Sequence, residues 1–173
     1  MFELDGQIYA LPIAPIVQII EMVTIRPVPQ DKGVAEGLIN VGGMAVPVID
    51  LRRHFGLPAT PLCLYTPIVL VQIDQLTVGL VVDEVMDVIG LVDDHVVRPA
   101  DILPEGLGEV PLLRGLAHVP EGTVFLLDLE HLFLPSQKQA LAQVARALSW
   151  EEETERPEDR VASEMEGPLG QVV

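Results

Sequence analysis

The chain is short of cysteine, of positive charge and of long apolar runs, and each shortage removes a class of protein. A single cysteine, Cys63, excludes an internal disulfide framework and a multi-cysteine zinc site. It fits a reducing compartment, with the cytoplasm as the expectation. Ten Lys and Arg stand against 26 Asp and Glu, a formal charge of −16 with a pI near 4.4. Such a chain repels phosphate backbones and anionic headgroups, and its basic residues are scattered, so neither nucleic acid nor a membrane surface is an expected partner. Apolar runs such as 68–73 and 78–82 stop well before the roughly 18 residues a membrane span needs. The start, MFELDGQIYALP, has no basic leader and no cleavage site. A soluble, unsecreted protein without direct membrane insertion is expected.

What is present is apolar and β-rich. With 173 residues, 49% hydrophobic content and a mean hydropathy of +0.40, the chain can bury a substantial core, and its length suits one domain or two small lobes sharing a core. Short runs dense in Val, Ile and Leu cover 2–4, 8–13, 45–51, 67–73, 77–82 and 123–129, punctuated by Gly and Pro. Runs so short and closely spaced predict small barrels or a sandwich rather than βαβ units. Residues 16–23 and 85–89 lack a decisive period, and strand is the preferred reading for both. Ser136 as N-cap, followed by Leu141, Val144 and Leu148 at helical spacing, predicts an amphipathic helix to about Trp150. Residues 151–173 are acidic and lack aromatics, which predicts a disordered tail.

An internal repeat organises the rest. GLINVGGMAVPVIDLRRHF (37–55) aligns without a gap on GLAHVPEGTVFLLDLEHLF (115–133) at an offset of 78. Gly37 meets Gly115, Val46 meets Val124, Asp50 meets Asp128 and Phe55 meets Phe133. A second pair, 9–20 over 78–89, repeats apolar positions at an offset of 69. The chain reads as two related halves.

The repeat decides between readings of several residues. A phosphate-binding loop needs its glycines followed by a helix, whereas Gly42 and Gly43 precede a β-run and have no counterpart in Val119-Pro120-Glu121-Gly122, so they read as a turn. Asp50 and Asp128 admit use as an acid–base pair, but their recurrence before a Leu in both halves favours capping of the turn that follows. His54, His95, His118 and His131 have no short metal-ligand spacing and read as surface residues. Cys63 reads as a small buried hydrophobe, and the acids of 81–94 as solvated strand ends and loops. No nucleophile, base or cofactor fingerprint emerges, and no cofactor or metal is expected.

Four blocks in succession, GQIYALPIAPIVQII, GLINVGGMAVPVIDLRRHFGL, TPIVLVQIDQLTVGLVVDEVMDVIGL and GLAHVPEGTVFLLDLEHLF, resemble the CheW-like domain family of bacterial chemotaxis coupling proteins. The resemblance implies a mostly β fold of two small five-stranded Src-homology-3-like barrels packed about a shared core over residues 1–135. A helix at 136–150 and the acidic tail at 151–173 lie outside it. It further implies a non-enzymatic adaptor, cytoplasmic and recruited to receptor arrays, that bridges the cytoplasmic tip of methyl-accepting chemoreceptors to the regulatory domain of the histidine kinase CheA. The positions it implies for receptor contact are Ile16, Gly37, Asn40, Gly42, Ala45, Ile68 and Gly79. Where the family commonly reads Asn-Leu-Arg-Gly, this chain reads Asn40-Val41-Gly42-Gly43, so an arginine is absent. That departure leaves room for an accessory role in a paralogous system of the type IV pilus kind. The alternative of another class is a ligand-binding or hydrolytic β-barrel using Asp50, Asp128 and a histidine.

Overall fold

The computed structural model describes residues 1–28, 34–91, 95–99 and 111–149. Strands β1 (Phe2–Leu4) and β2 (Gln7–Ala10) form a hairpin across Asp5 and Gly6, and β6 (Pro67–Ile73) and β7 (Leu76–Val81) form another across Asp74 and Gln75. Asp5 and Asp74, 69 positions apart, both take a left-handed backbone (φ 52° and 53°), which a short polar side chain tolerates. Two further hairpins carry the longer repeat. They are β4 (Gly37–Val41) with β5 (Met44–Asp50), and β10 (Leu113–Val119) with β11 (Gly122–Leu127).

The halves exchange hairpins. One sheet runs β3-β6-β7-β5-β4, where β3 is Ile16–Glu21. The other runs β8-β1-β2-β11-β10-β9, where β8 is Glu84–Val85 and β9 is Val96–Val97. The first hairpin of each half therefore lies in the sheet of the other, joined there by a parallel pair: β5 with β7, and β11 with β2. Beyond β3 the chain bends back, and Arg26 and Leu38 exchange both backbone hydrogen bonds (2.8 and 2.9 Å), which draws the five-stranded sheet towards closure.

Period-2 alternation divides the core. Val46 and Val48 of β5, Ile68 and Leu70 of β6 and Val81 of β7 pack together on one face of the five-stranded sheet. Ile49, Val69, Val71, Val78 and Leu80, on the opposite faces, join Phe2, Leu4, Leu127 and Phe133 in the layer between the sheets. Strands buried on both faces read as unbroken apolar runs, which is why β6 and β7 are conspicuous in the sequence. Each such aliphatic side chain contributes about 1.5–3 kcal/mol on burial.

Several local expectations are corrected. The run 8–13 ends as a strand at Ala10: Pro12 has no N–H for a ladder, and Ile13 enters a turn closed by the Ile16 N–H (3.0 Å). Residues 16–21 are a strand as preferred, whereas of 85–89 only Val85 lies in a strand. Ser136 is not the N-cap of α2 (Pro135–Ser149). Proline occupies the first helical position, and the Gln137 side chain reaches back to the Leu134 N–H at 2.8 Å, as in a capping box. Leu141 docks the helix, 1% exposed in the shared core. The tail expected at 151–173 lies outside the described residues.

Candidate partner-binding face

Asp50 and Asp128 each end the second strand of a repeat hairpin, and each Oδ1 accepts the backbone N–H two residues on, from Arg52 (2.8 Å) and Glu130 (2.9 Å). Both are caps, as the repeat predicts. Asp50 opens α1 (Leu51–His54) and is almost fully buried. At Asp128, burial pushes the carboxyl up, but hydrogen bonds from His131 and from backbone N–H groups outweigh it and hold the pKa below the ordinary range.

Arg52 ties three elements together. Its Nε and Nη2 grip both oxygens of Asp83 (2.6 and 2.7 Å), and Nη1 donates to Pro58 O (2.9 Å) and lies 3.3 Å from Asp5. Asp5 N–H completes the knot at Asp83 Oδ2 (2.8 Å). The Arg52 hydrogen bonds drive the Asp83 pKa down against the opposing effect of burial. Asp83 is thus a structural ion-pair member rather than a solvated strand end, a correction to the reading of 81–94, of which 92–94 lie outside the described residues.

Two further expectations change. Cys63 is exposed, because it starts a tight turn in which Thr66 N–H bonds to Cys63 O (3.0 Å) and Thr66 Oγ1 accepts the Cys63 N–H (3.0 Å). A hydrogen bond with the Thr66 hydroxyl lowers its thiol pKa. His95, His118 and His131 are exposed, but His54 is half-buried between Phe55 and Phe133, with its Nε2 at 2.7 Å from Leu132 O.

The seven positions implied for receptor contact all fall in or beside the five-stranded sheet, but at different depths. Asn40 and Gly42 are exposed, and Ile16 and Ala45 are half-buried. Asn40 pairs with Ala45 across β4 and β5, and its Oδ1 accepts the Gly43 N–H (2.8 Å). Gly42 and Gly43 (φ 59° and 87°) form the two-residue hairpin turn that positive φ angles favour. Gly37, Ile68 and Gly79 are buried. A Cβ on Gly79 would stand 2.9 Å from Ile68 Cγ2, so these two support the sheet from within.

The sheet and its flank also display exposed apolar side chains. The edge strand β3 exposes Val17 (58%) and Ile19 (48%), and the segment leading into β6 exposes Leu64 and Tyr65 (76% and 82%). Glu21 pairs with Pro67, so the register brings the end of β3 beside that segment. The missed signal is that β3 is apolar on both faces, although an edge strand has a partner on only one side. A separate cleft of about 540 Å³ lies between α2 and the β6–β7 turn, walled by Ile73, Leu76, Val78, Phe133 and Leu141, with the Lys138–Asp74 ion pair at its rim. Among the described residues no group of three His, Cys, Asp or Glu side chains is placed to hold a metal ion. No helix among them is long and apolar enough to cross a membrane.

The sequence of residues 1–135 matches the family model of the CheW-like domain. The chain belongs to the CheW-like domain family. Among curated CheW-like relatives, a probable chemotaxis protein CheW of Rhizobium etli is 28% identical over 140 residues, 80% of this chain and 88% of that protein. The chemotaxis protein CheW of Klebsiella aerogenes is 30% identical over 141 residues, 82% of this chain and 83% of that one. The crystal structure of the scaffolding protein TtCheW from Thermoanaerobacter tengcongensis superposes with a TM-score of 0.67 at 27% identity, over 76% of this chain and 88% of that one. The two curated relatives are named as chemotaxis proteins and the solved structure as a scaffolding protein.

Proposed function

We propose that this CheW-like chain is a non-enzymatic adaptor that couples the cytoplasmic tip of methyl-accepting chemoreceptors to the regulatory domain of the histidine kinase CheA, working in the cytoplasm at membrane-associated receptor arrays. The observation that carries the reading is the family match over 1–135, set beside an edge strand that displays apolar side chains to solvent. Exposed apolar surface on a small barrel suits protein docking. The enzymatic alternative is weakened by the two carboxylates it would use, because Asp50 and Asp128 hold backbone N–H groups at the ends of separate hairpins. The receptor positions Ile16, Asn40, Gly42 and Ala45 are available for contact in this reading, while Gly37, Ile68 and Gly79 act by shaping the sheet.

The exposed tip supports a second possibility. With Gly42 in place of the family arginine, the hairpin offers a backbone without a recognition group, which suits an accessory protein of a paralogous, type IV pilus-type system. Co-sedimentation with receptor-containing membranes, with and without CheA, tests both. Binding to both partners supports the adaptor, binding to the kinase alone supports the accessory role, and binding to neither ends both. Gly42→Arg adds a second readout: a Cβ there meets nothing within 4 Å, so the side chain fits at a backbone cost of about 1 kcal/mol for the left-handed φ, and stronger receptor association is expected.

A further inference from the structure

The two repeat hairpins are each flanked by one more extended segment. Arg26 pairs with Leu38 beside β4, and Val97 pairs with Leu116 beside β10. Leu38 and Leu116 are repeat equivalents, so Arg26 and Val97 fill the same slot in the two halves. In both, a glycine lets the segment approach. A Cβ on Gly37 would lie 2.3 Å from Arg26 O, and one on Gly115 would lie 2.5 Å from Val96 Cγ1 and 3.0 Å from Val97 O. The fold asks of this slot only an extended residue, and Val97 meets that need with an aliphatic side chain. The guanidinium of Arg26 has no such structural reason.

Its surroundings sharpen the point. Arg52, Arg53 and Lys138 each hold a carboxylate. Arg26 is exposed and, among the described residues, its side chain has no hydrogen bond or ion pair, in a chain with 26 acidic residues. Its backbone N–H and C=O are both bonded to Leu38, which fixes its Cα. Strand alternation then sets its side chain on the face shared by Leu38, Asn40 and Ala45, near a hairpin tip where Met44 is 58% exposed.

We propose that Arg26 is a specificity-determining contact of this face, meeting a carboxylate on the chemoreceptor surface that docks against β4 and β5; the assignment rests on the adaptor reading above. A guanidinium presents five donors in a planar fork and can hold a carboxylate through two parallel hydrogen bonds, which a lysine cannot. At a net charge of −16 the chain as a whole repels acidic partners, so the exposed guanidinium of Arg26 favours a partner that sets its carboxylate at this spot.

The test is calorimetric titration of the full chain and its Arg26→Ala, Arg26→Lys and Arg26→Glu variants with a chemoreceptor cytoplasmic fragment, and in parallel with the CheA regulatory domain. Val97→Glu serves as the matched change in the other half. The expected result is about tenfold weaker receptor binding for Arg26→Ala, a larger loss for Arg26→Glu and partial recovery with Arg26→Lys, with kinase binding and Val97→Glu unchanged. Circular dichroism checks folding, and the Lys variant keeps the test open if the Glu variant unfolds. Receptor affinity of Arg26→Glu equal to wild type, an equal loss from Val97→Glu, or a loss confined to the kinase would each overturn the assignment. Wild-type protein that binds neither partner removes the adaptor reading and the contact together. Wild-type binding that survives Arg26→Glu removes the contact alone.

Discussion

His54 and Leu132 stand 78 positions apart, occupy the same place in the two halves, and touch: the His54 Nε2–H donates to Leu132 O at 2.7 Å. The neighbouring contact is also between the halves, with the His54 ring 4.9 Å from that of Phe133, the counterpart of Phe55. The ends of the two repeat hairpins therefore meet at the pseudo-symmetric centre of the molecule, where one copy has a donor and the other a carbonyl. His54→Ala leaves that carbonyl without its partner and opens space beside Phe133. A loss of about 1–3 kcal/mol is expected in urea denaturation, and a loss below 0.5 kcal/mol would show that the contact is incidental.

Acid should loosen the Arg52–Asp83–Asp5 knot. The Asp83 pKa is depressed in the folded state, so its contribution to stability is complete above the unfolded carboxylate value of about 3.9 and is lost as the pH falls through the lower folded value. The depressed Asp128 pKa acts in the same direction. Thermal midpoints measured from pH 6 down to pH 2 should therefore fall in the acid range, and Asp83→Asn should flatten that fall while lowering stability at pH 6. An unchanged acid profile in Asp83→Asn would locate the acid sensitivity elsewhere.

Helix α2 is held to the barrels through Leu141. Leu141→Ala removes a side chain that is 1% exposed in the shared core and should cost about 2–5 kcal/mol. Because that core spans both sheets, the whole chain should lose stability in one transition. A separate early melting phase, with the sheets unaffected, would show that the helix is an independent appendage.

Gly37→Ala should detach the Arg26 segment from β4. A methyl group there lies 2.3 Å from a backbone oxygen at a φ of +153°, and neither chain can yield without breaking the Arg26–Leu38 hydrogen bonds. Faster amide hydrogen exchange at Arg26 and Leu38 is expected, with β6 and β7 protected as in wild type. Unaltered protection at Leu38 would mean that the strand pair can absorb the extra carbon.

Much of the strand content is legible because β5, β6 and β7 are apolar on both faces and bounded by turns. The capping of Asp50 and Asp128 is legible for another reason, since the duplication supplies two independent copies of one local device. Pairing between hairpins is not legible. The repeat identifies equivalent segments, but local pattern does not tell that β6–β7 lies beside β5 rather than beside β11. Cys63 misleads because Leu62 and Leu64 make it look like core, whereas a Thr66-closed turn holds the whole segment outside. Asp83 misleads in the opposite sense, since its partner Arg52 is 31 positions away. The candidate site is legible as a sheet but not as a surface. Burial of Gly37, Ile68 and Gly79 depends on which face each strand turns inward, and the display of Val17 and Ile19 depends on β3 lying at an edge.

The exchange of hairpins has a consequence for how the protein endures in a cell. Two separate chains that traded hairpins in this way would form a swapped dimer, and its integrity would depend on concentration, as for any obligate dimer. Here both partners of the trade are on one polypeptide, so the association is intramolecular and dilution cannot undo it. A protein built this way keeps its shape at any copy number, so that concentration governs only its binding to other molecules.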